Sequence, residues 1–368
     1  MSPQPKRRAP AKPAKKAKSK ARPRAKAGAG TKNGLTVAVT GPTGDIGAPL
    51  VSALERAPEV GRIVGMARRP FDPAEKGWSK TVYRQGDVLD QEAVDSLVHG
   101  ADVVVHLAFV IMSGGDADRR VNVEGSRNVF EATVAAGAQR LVYASSVAAY
   151  GFHEDHPDLL TEDVPARGSD GHSYSEEKAA VEEVLARATE GSTTGTYVFR
   201  PCIVAGPDAL VLIENIPYVK IGERLPDAVR GLFDVVPALA PVIPDPGVPF
   251  QLVHHDDVAA AMRAAVAGKG EPGVYNLAGE GRITLSDLAD ELGWYSVPLP
   301  EIAVGAVREG VSRVPFLPNE AQWVEALRSP LLMDTSRARK VLRWRPRHPA
   351  RETLHETVES ARLSGLLR

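Results

Sequence analysis

One cysteine in 368 residues, Cys202, leaves no intramolecular disulfide framework and no cysteine-based metal cluster to look for. Between Arg200-Pro201 and Ile203-Val204 it reads as a buried, unreactive thiol, which suits a reducing compartment. Long apolar runs are also missing: none approaches the ~20 residues a membrane span needs. The most apolar late stretch, 232–253, carries five prolines (237, 241, 244, 246 and 249) and cannot be one helix. The N-terminus has no apolar signal-peptide core. A cytoplasmic protein that does not enter the membrane is the expectation.

Acid is absent from residues 1–34, which hold twelve Lys and Arg but no Asp or Glu. The rest of the chain then has 33 basic residues against 46 acidic, a balance of −13, although the whole chain sums to −1. A segment of Lys, Arg, Ala and Pro has almost nothing to bury, so residues 1–34 are expected to be disordered. They could contact a polyanion through its phosphates, remain a solvated tail, or fold back on the acidic body. No aromatic residue interleaves the basic ones, which argues against base stacking.

What is present from residue 35 onward is alternation. Strand-like runs at 35–40, 62–66, 81–84, 102–107, 140–145 and 196–204 are separated by helical stretches at 45–56, 90–99, 119–136 and 174–188. That order predicts a doubly wound α/β fold, a parallel Rossmann sheet with helices on both faces. Residues 35–204 would form the dinucleotide-binding domain. After residue 205 the pattern loosens, giving a smaller C-terminal substrate lobe over 205–368. A strand at 273–277 would return to the sheet, and helices are expected near 284–292, 335–342 and 351–364.

Thr40-Gly-Pro-Thr-Gly-Asp-Ile-Gly47 lies between the first strand and first helix. Gly41 would allow a tight turn, Gly44 the approach of a pyrophosphate, and Gly47 close helix packing. Thr43, Asp45 and Ile46 complete the turn, whose helix end offers free N–H groups to phosphate. The second strand ends Ala67-Arg68-Arg69, with Ala67 where an NAD site usually places an acid. Arg68 suits a ribose 2′-phosphate, so NADP is favoured over NAD. Asp87 and Val88 follow the third strand, where the carboxylate could accept from an adenine amino group or cap a helix, a role Asp90 competes for. Leu107 and Ala108 end the fourth strand beside the nicotinamide half.

Tyr174 and Lys178 stand four apart on one helix face, with Ser173 and Glu176 at capping-box spacing. A nearby ammonium is expected to lower the phenol from about 10. Ser145 and Ser146 end the fifth strand, where a hydroxyl could polarise a substrate oxygen.

Together the turn, Asp87, His106-Leu-Ala108, Asn122-Val-x-Gly125, Ser145-Ser146, Tyr174-x-x-x-Lys178 and Arg200-Pro201 resemble the NAD(P)-dependent epimerase/dehydratase family of the extended short-chain dehydrogenase/reductases. The resemblance covers about 35–365. It implies that Tyr174 is the acid/base and that Lys178 tunes it and anchors the nicotinamide ribose. Counting back from Tyr150-Gly151, it favours Ser146 over Ser145. It places Asn122, Pro201 and Ile203 near the cofactor, and makes His254-His255-Asp256-Asp257 structural, not a metal site. Members acting on nucleotide-sugars often have Arg-Asp-Phe where this chain has Phe250-Gln251-Leu252. The stretch Phe109-Val-Ile-Met112 is apolar as well. Both point to a less charged alcohol or ketone. The leading expectation is an NAD(P)-dependent oxidoreductase. A sugar epimerase or dehydratase and a non-catalytic scaffold are the alternatives. Pairing through helices 90–99 and 119–136, or 174–188, would make a homodimer.

Overall fold

The computed structural model describes residues 34–111, 115–216, 219, 241–299 and 330–367. The expectations for the basic tail, for Met112 and for most of 217–240 and 300–329 lie outside these residues.

Strand β1 (Leu35–Thr40) leads through the glycine turn into helix α1 (Gly47–Glu55), followed by β2 (Val60–Ala67) and β3 (Thr81–Gln85). Helix α2 (Gln91–Val98), β4 (Val103–His106), α3 (Asp116–Ala135), β5 (Arg140–Ala144), α4 (Ser173–Thr189) and β6 (Gly195–Pro201) continue the alternation. Every β4 residue is buried, as a strand covered on both faces requires. Then come β7 (Ile203–Ala205), α5 (Val211–Glu214), β8 (Val242–Asp245), β9 (Leu252–His254), α6 (His255–Val266), β10 (Gly273–Leu277), α7 (Leu285–Leu292), β11 (Tyr295–Pro298), α8 (Ser336–Val341) and α9 (Ala350–Leu363).

Seven of these strands make one parallel sheet in the order β3-β2-β1-β4-β5-β6-β10. This is the doubly wound order of a Rossmann sheet, with its switch point between β1 and β4. Leu50, Val51 and Leu54 of α1 join Val258, Met262 and Ala265 of α6 in one core layer. Val94 and Leu97 of α2, Val129 and Phe130 of α3, and Val181 and Leu185 of α4 fill the other. A third core, with Ile213, Phe250, Leu252, Ile283, Leu288, Leu354 and Val358, belongs to the segments after residue 204. No helix among the described residues is long and apolar enough to cross a membrane.

Two local expectations change. The run 196–204 is not one strand: β6 pairs with β10 as far as Pro201, and β7 pairs with β9 in a separate sheet. Cys202 between them donates its N–H to Leu277 O at 2.9 Å, so the ladder to β10 ends there. The start of α4 is capped not by Ser173 but by His172, whose Nδ1 accepts from Ser175 N at 3.3 Å. Glu176 reaches back instead to Gly171 N, at 2.7 Å.

Candidate active site

The sequence-predicted residues collect at the carboxyl end of the parallel sheet: the glycine turn after β1, Arg68 after β2, Asp87 and Val88 after β3, Leu107 and Ala108 after β4, Ser145 and Ser146 after β5, and Pro201 to Ile203 at the end of β6.

Thr40 organises the turn. Buried at the end of β1, its Oγ1 lies 2.8 Å from His106 Nδ1 and accepts from Leu107 N at 3.1 Å and Ala108 N at 3.2 Å. His106 Nε2 meets Ser126 Oγ at 2.9 Å, and that hydroxyl donates onward to Asn122 O. With both ring nitrogens engaged in full burial, the imidazole is held neutral and its pKa falls to about 3, chiefly through desolvation and then through Lys178. Sequence reasoning missed this hub. Thr and His look like ordinary strand ends, and only the pairing of β1 with β4 brings them together.

Each glycine has its own constraint. Gly41 takes φ 68° and abuts Ala108 N, which a Cβ would approach to 3.0 Å. A Cβ on Gly47 would sit 2.0 Å from Gly41 O, so this glycine packs the helix start against the turn's own backbone. At Gly44 the nearest atom would be 3.8 Å away, leaving the exposed side of the turn open. Helix α1 has no side-chain cap and no acid in its first turn, and the Ile46 and Gly47 amides are not spent on backbone acceptors in the turn. An open approach, free amides and the positive end of a helix dipole fit a dinucleotide pyrophosphate.

Arg68 is exposed beyond β2, and only its backbone carbonyl is engaged, by Gln85 Nε2 at 3.2 Å. Asp90, not Asp87, caps α2, accepting from Glu92 N and Ala93 N. Asp87 keeps one oxygen on Leu89 N at 3.0 Å. Val88 is buried against Gly125, where a Cβ would come within 2.4 Å of its Cγ2.

Tyr174 and Lys178 lie side by side on α4. The Lys178 Nζ is buried, donates to Ala144 O at 2.9 Å and sits 3.7 Å above the Phe109 ring. Desolvation brings its pKa down to about 7, opposed by Glu182 and Glu177. Tyr174 packs edge-on against Phe109, ring centroids 5.7 Å apart. Its phenol is raised, not lowered as expected: desolvation outweighs a hydrogen bond with Ser146. Lys178 is aimed at the carbonyl and the Phe109 face instead of at the phenol oxygen, so its charge does not dominate there.

The two serines divide. Ser145 donates to Glu182 Oε1 at 2.5 Å, and Glu182 is gripped by buried Arg200 at 2.9 Å and 2.5 Å. Ser146 caps a single turn, accepting from Ala148 N at 3.2 Å, and meets Tyr174. Asn122 is saturated. It accepts from Val110 N at 2.7 Å and donates to Val110 O at 2.9 Å and to buried Glu177 at 2.6 Å. It therefore clamps the loop that carries Phe109.

Farther off, His254, His348 and Glu356 bring donor atoms within 4.8 Å of one another. His254 Nδ1 accepts from Asp256 N at 3.1 Å, which leaves Nε2 as the N–H facing Glu356 Oε2 at 3.0 Å. A lone pair for a metal at Nε2 would require breaking that helix cap.

A family model described as NAD dependent epimerase/dehydratase family matches residues 37–278. 3 beta-hydroxysteroid dehydrogenase type 7 of Mus musculus is 31% identical over 192 residues, 47% of this chain and 51% of that protein. The chain thus spans about half the length of the curated relatives it matches first. The solved structure of MoeE5 in complex with UDP-glucuronic acid and NAD has a TM-score of 0.65 at 21% identity, covering 90% of this chain and 100% of that one. UDP-glucose 4-epimerase of Thermotoga maritima, with UDP-glucose, gives 0.65 at 20% identity, covering 90% and 99%. At these identities the solved structures share the fold.

Proposed function

The chain belongs to the NAD dependent epimerase/dehydratase family, and from that premise we propose that it interconverts a carbonyl and a secondary alcohol, with NAD(P) held at the Gly41–Gly47 turn. The observation that carries this reading is the meeting of Tyr174, Ser146 and Lys178 at the same sheet end as the open glycine turn. Gly44, Asp45, Ile46 and Gly47 would hold the pyrophosphate, Asp87 and Val88 the adenine side, and Leu107, Ala108, Pro201 and Ile203 the nicotinamide side. When bound, the dinucleotide supplies the hydride acceptor or donor.

The chain's own groups do the rest. Ser146 Oγ orients the substrate oxygen. Tyr174 Oη, raised by burial and so protonated at neutral pH, gives its proton to a carbonyl and takes one back from an alcohol. Lys178, with a pKa near 7, supplies positive charge as pH falls toward neutrality, and Glu177 and Glu182 hold that charge in place. Phe109 screens the pair from water.

Arg68 supports NADP as the preferred form, since it stands free where a 2′-phosphate would lie. Phe250, buried and bridged to Ile283, offers no cation to a substrate diphosphate, and the Gln251 amide is tied to the Met333 backbone at 2.8 Å. These features support an uncharged, largely apolar alcohol or ketone, as does the name of the mouse relative. The family description and the sugar-nucleotide complexes support a second reading, a sugar epimerase or dehydratase with transient oxidation.

Fluorescence titration with NADPH and NADH, on wild type and Arg68→Ala, followed by a ketone screen with Tyr174→Phe, tests the proposal. Binding of NADPH that weakens in Arg68→Ala, with turnover lost in Tyr174→Phe, is expected. Substrate conversion without net cofactor turnover would move the assignment to the second reading. No binding of either dinucleotide would refute both.

A further inference from the structure

At the other end of the sheet the chain builds a second concave surface. A cleft of about 810 Å³ is walled by Glu59, Arg263, Lys269, Arg343, Arg345 and Arg347 among small and apolar residues. Glu59 precedes β2, and Gly270, on the same wall, precedes β10. The cleft therefore lies at the amino ends of the strands, opposite the glycine turn.

Five cations face one acid there, on a body whose balance is −13. The C-termini of α6 and α8 also point to this region, each equivalent to roughly half a negative charge. Even after subtracting both ends and Glu59, a surplus of about three positive charges remains. Only Arg263 is paired, at 3.4 Å from Glu59; Lys269, Arg343, Arg345 and Arg347 form no ion pair among the described residues. The chain leaving α8 buries Leu342 and Trp344 and exposes Arg343, Arg345 and Arg347, all three of which line the cleft. Arg343 adds a conformational cost. It is the one non-glycine at positive φ, 55°, among the described residues, at a helix end where glycine is the unstrained choice.

We propose that this cleft binds a small ligand carrying several linked phosphates, such as an inorganic polyphosphate. Its volume falls in the ~300–1,000 Å³ range of small-molecule sites. Unpaired arginines suit phosphate oxygens. Nucleic acid fits less well. Trp344, the cleft's aromatic residue, is buried and spends its indole N–H on Asp257 O at 2.8 Å, so bases have nothing to stack on.

The test is calorimetric titration of the full chain with tripolyphosphate, NAD being present in excess to occupy the glycine turn. Wild type, Arg345→Ala/Arg347→Ala and Glu59→Gln all retain the basic N-terminal segment, so differences among them report the cleft. We expect one saturable site, weakened about tenfold in the double variant and tightened about two- to threefold in Glu59→Gln, with unchanged thermal unfolding. Equal affinity in all three proteins would overturn the proposal. So would a mixed-sequence DNA duplex whose binding depends on Arg345 and Arg347 while tripolyphosphate binding does not.

Discussion

Two alanine substitutions in the glycine turn, three residues apart, should separate folding from cofactor binding. At Gly47 the new methyl meets the backbone of the turn, 2.0 Å from Gly41 O and 2.8 Å from Pro42 C. Neither can give way without moving the turn, so Gly47→Ala should cost about 1–3 kcal/mol in overpacking. At Gly44 the methyl meets nothing closer than 3.8 Å, and no positive φ stands against it. Gly44→Ala should be neutral in stability or gain about 0.4–1 kcal/mol by stiffening the unfolded chain. The same methyl would occupy the approach a pyrophosphate needs. If the ligand meets it as a buried group does, the same ~1–3 kcal/mol is charged to binding, about a 5- to 150-fold loss. Thermal unfolding without cofactor and fluorescence titration with NADH measure the two quantities. Gly44→Ala should keep its Tm and lose affinity, whereas Gly47→Ala should lose Tm first. An affinity for NADH unchanged in Gly44→Ala would refute the idea that this opening is the phosphate cradle. A Tm loss equal to that of Gly47→Ala would refute the geometry itself.

Arg200→Met should be the most damaging of the buried substitutions. It strands the Glu182 carboxylate, 11% exposed, at a cost of about 3–5 kcal/mol by urea unfolding. Stability should fall with acid through His106, whose folded pKa of about 3 lies below its unfolded value of about 6.5. The unfolded state then binds the extra proton, so stability present above pH 6.5 is lost as pH drops toward 3. Between pH 7 and pH 5 this amounts to about 2 kcal/mol, and His106→Asn should remove that share of the pH dependence. Asn122→Ala should free Val110 and leave Glu177 buried without its partner. We expect a Tm drop of several degrees and a reaction rate that falls more than substrate affinity. A rate unchanged in that variant would show that the Phe109 loop needs no clamp.

Much of the sheet was legible because a parallel, doubly covered strand writes itself as a β-branched run, as Val103-Val104-Val105 does, and because Gly41 and Gly47 mark a turn that few other residues could make. What could not be read were choices made by distant partners. Pro201-Cys202-Ile203 is uniformly apolar, so the change of partner from β10 to β9 leaves no trace in the pattern. Ser173 has the right neighbour for a capping box, yet His172 takes the cap. The phenol of Tyr174 could be judged only once burial and the direction of Lys178 were known. Ser145 and Ser146 could be told apart in the sequence only by the resemblance, counting back from Tyr150-Gly151. Glu182 and Arg200, 37 and 18 residues away along the chain from their respective partners, separate them.

The change of sheet at Cys202 has a consequence for how such a chain can diversify. Pro201, the last residue of β6, and Ile203, the first of β7, are separated only by that cysteine. Cys202 lies in the core layer of α1 and α6 and Ile203 packs on the third core, so one continuous backbone rail serves both. Residues that fill the third core, such as Ile213, Ile283 and Leu354, can therefore change while the layer built with α1, α6 and β10 keeps its packing. Register is kept for them by the rail. An insertion at Cys202 itself should be poorly tolerated, because it would shift β6 against β7 and disturb the pairing of both with β10 and β9.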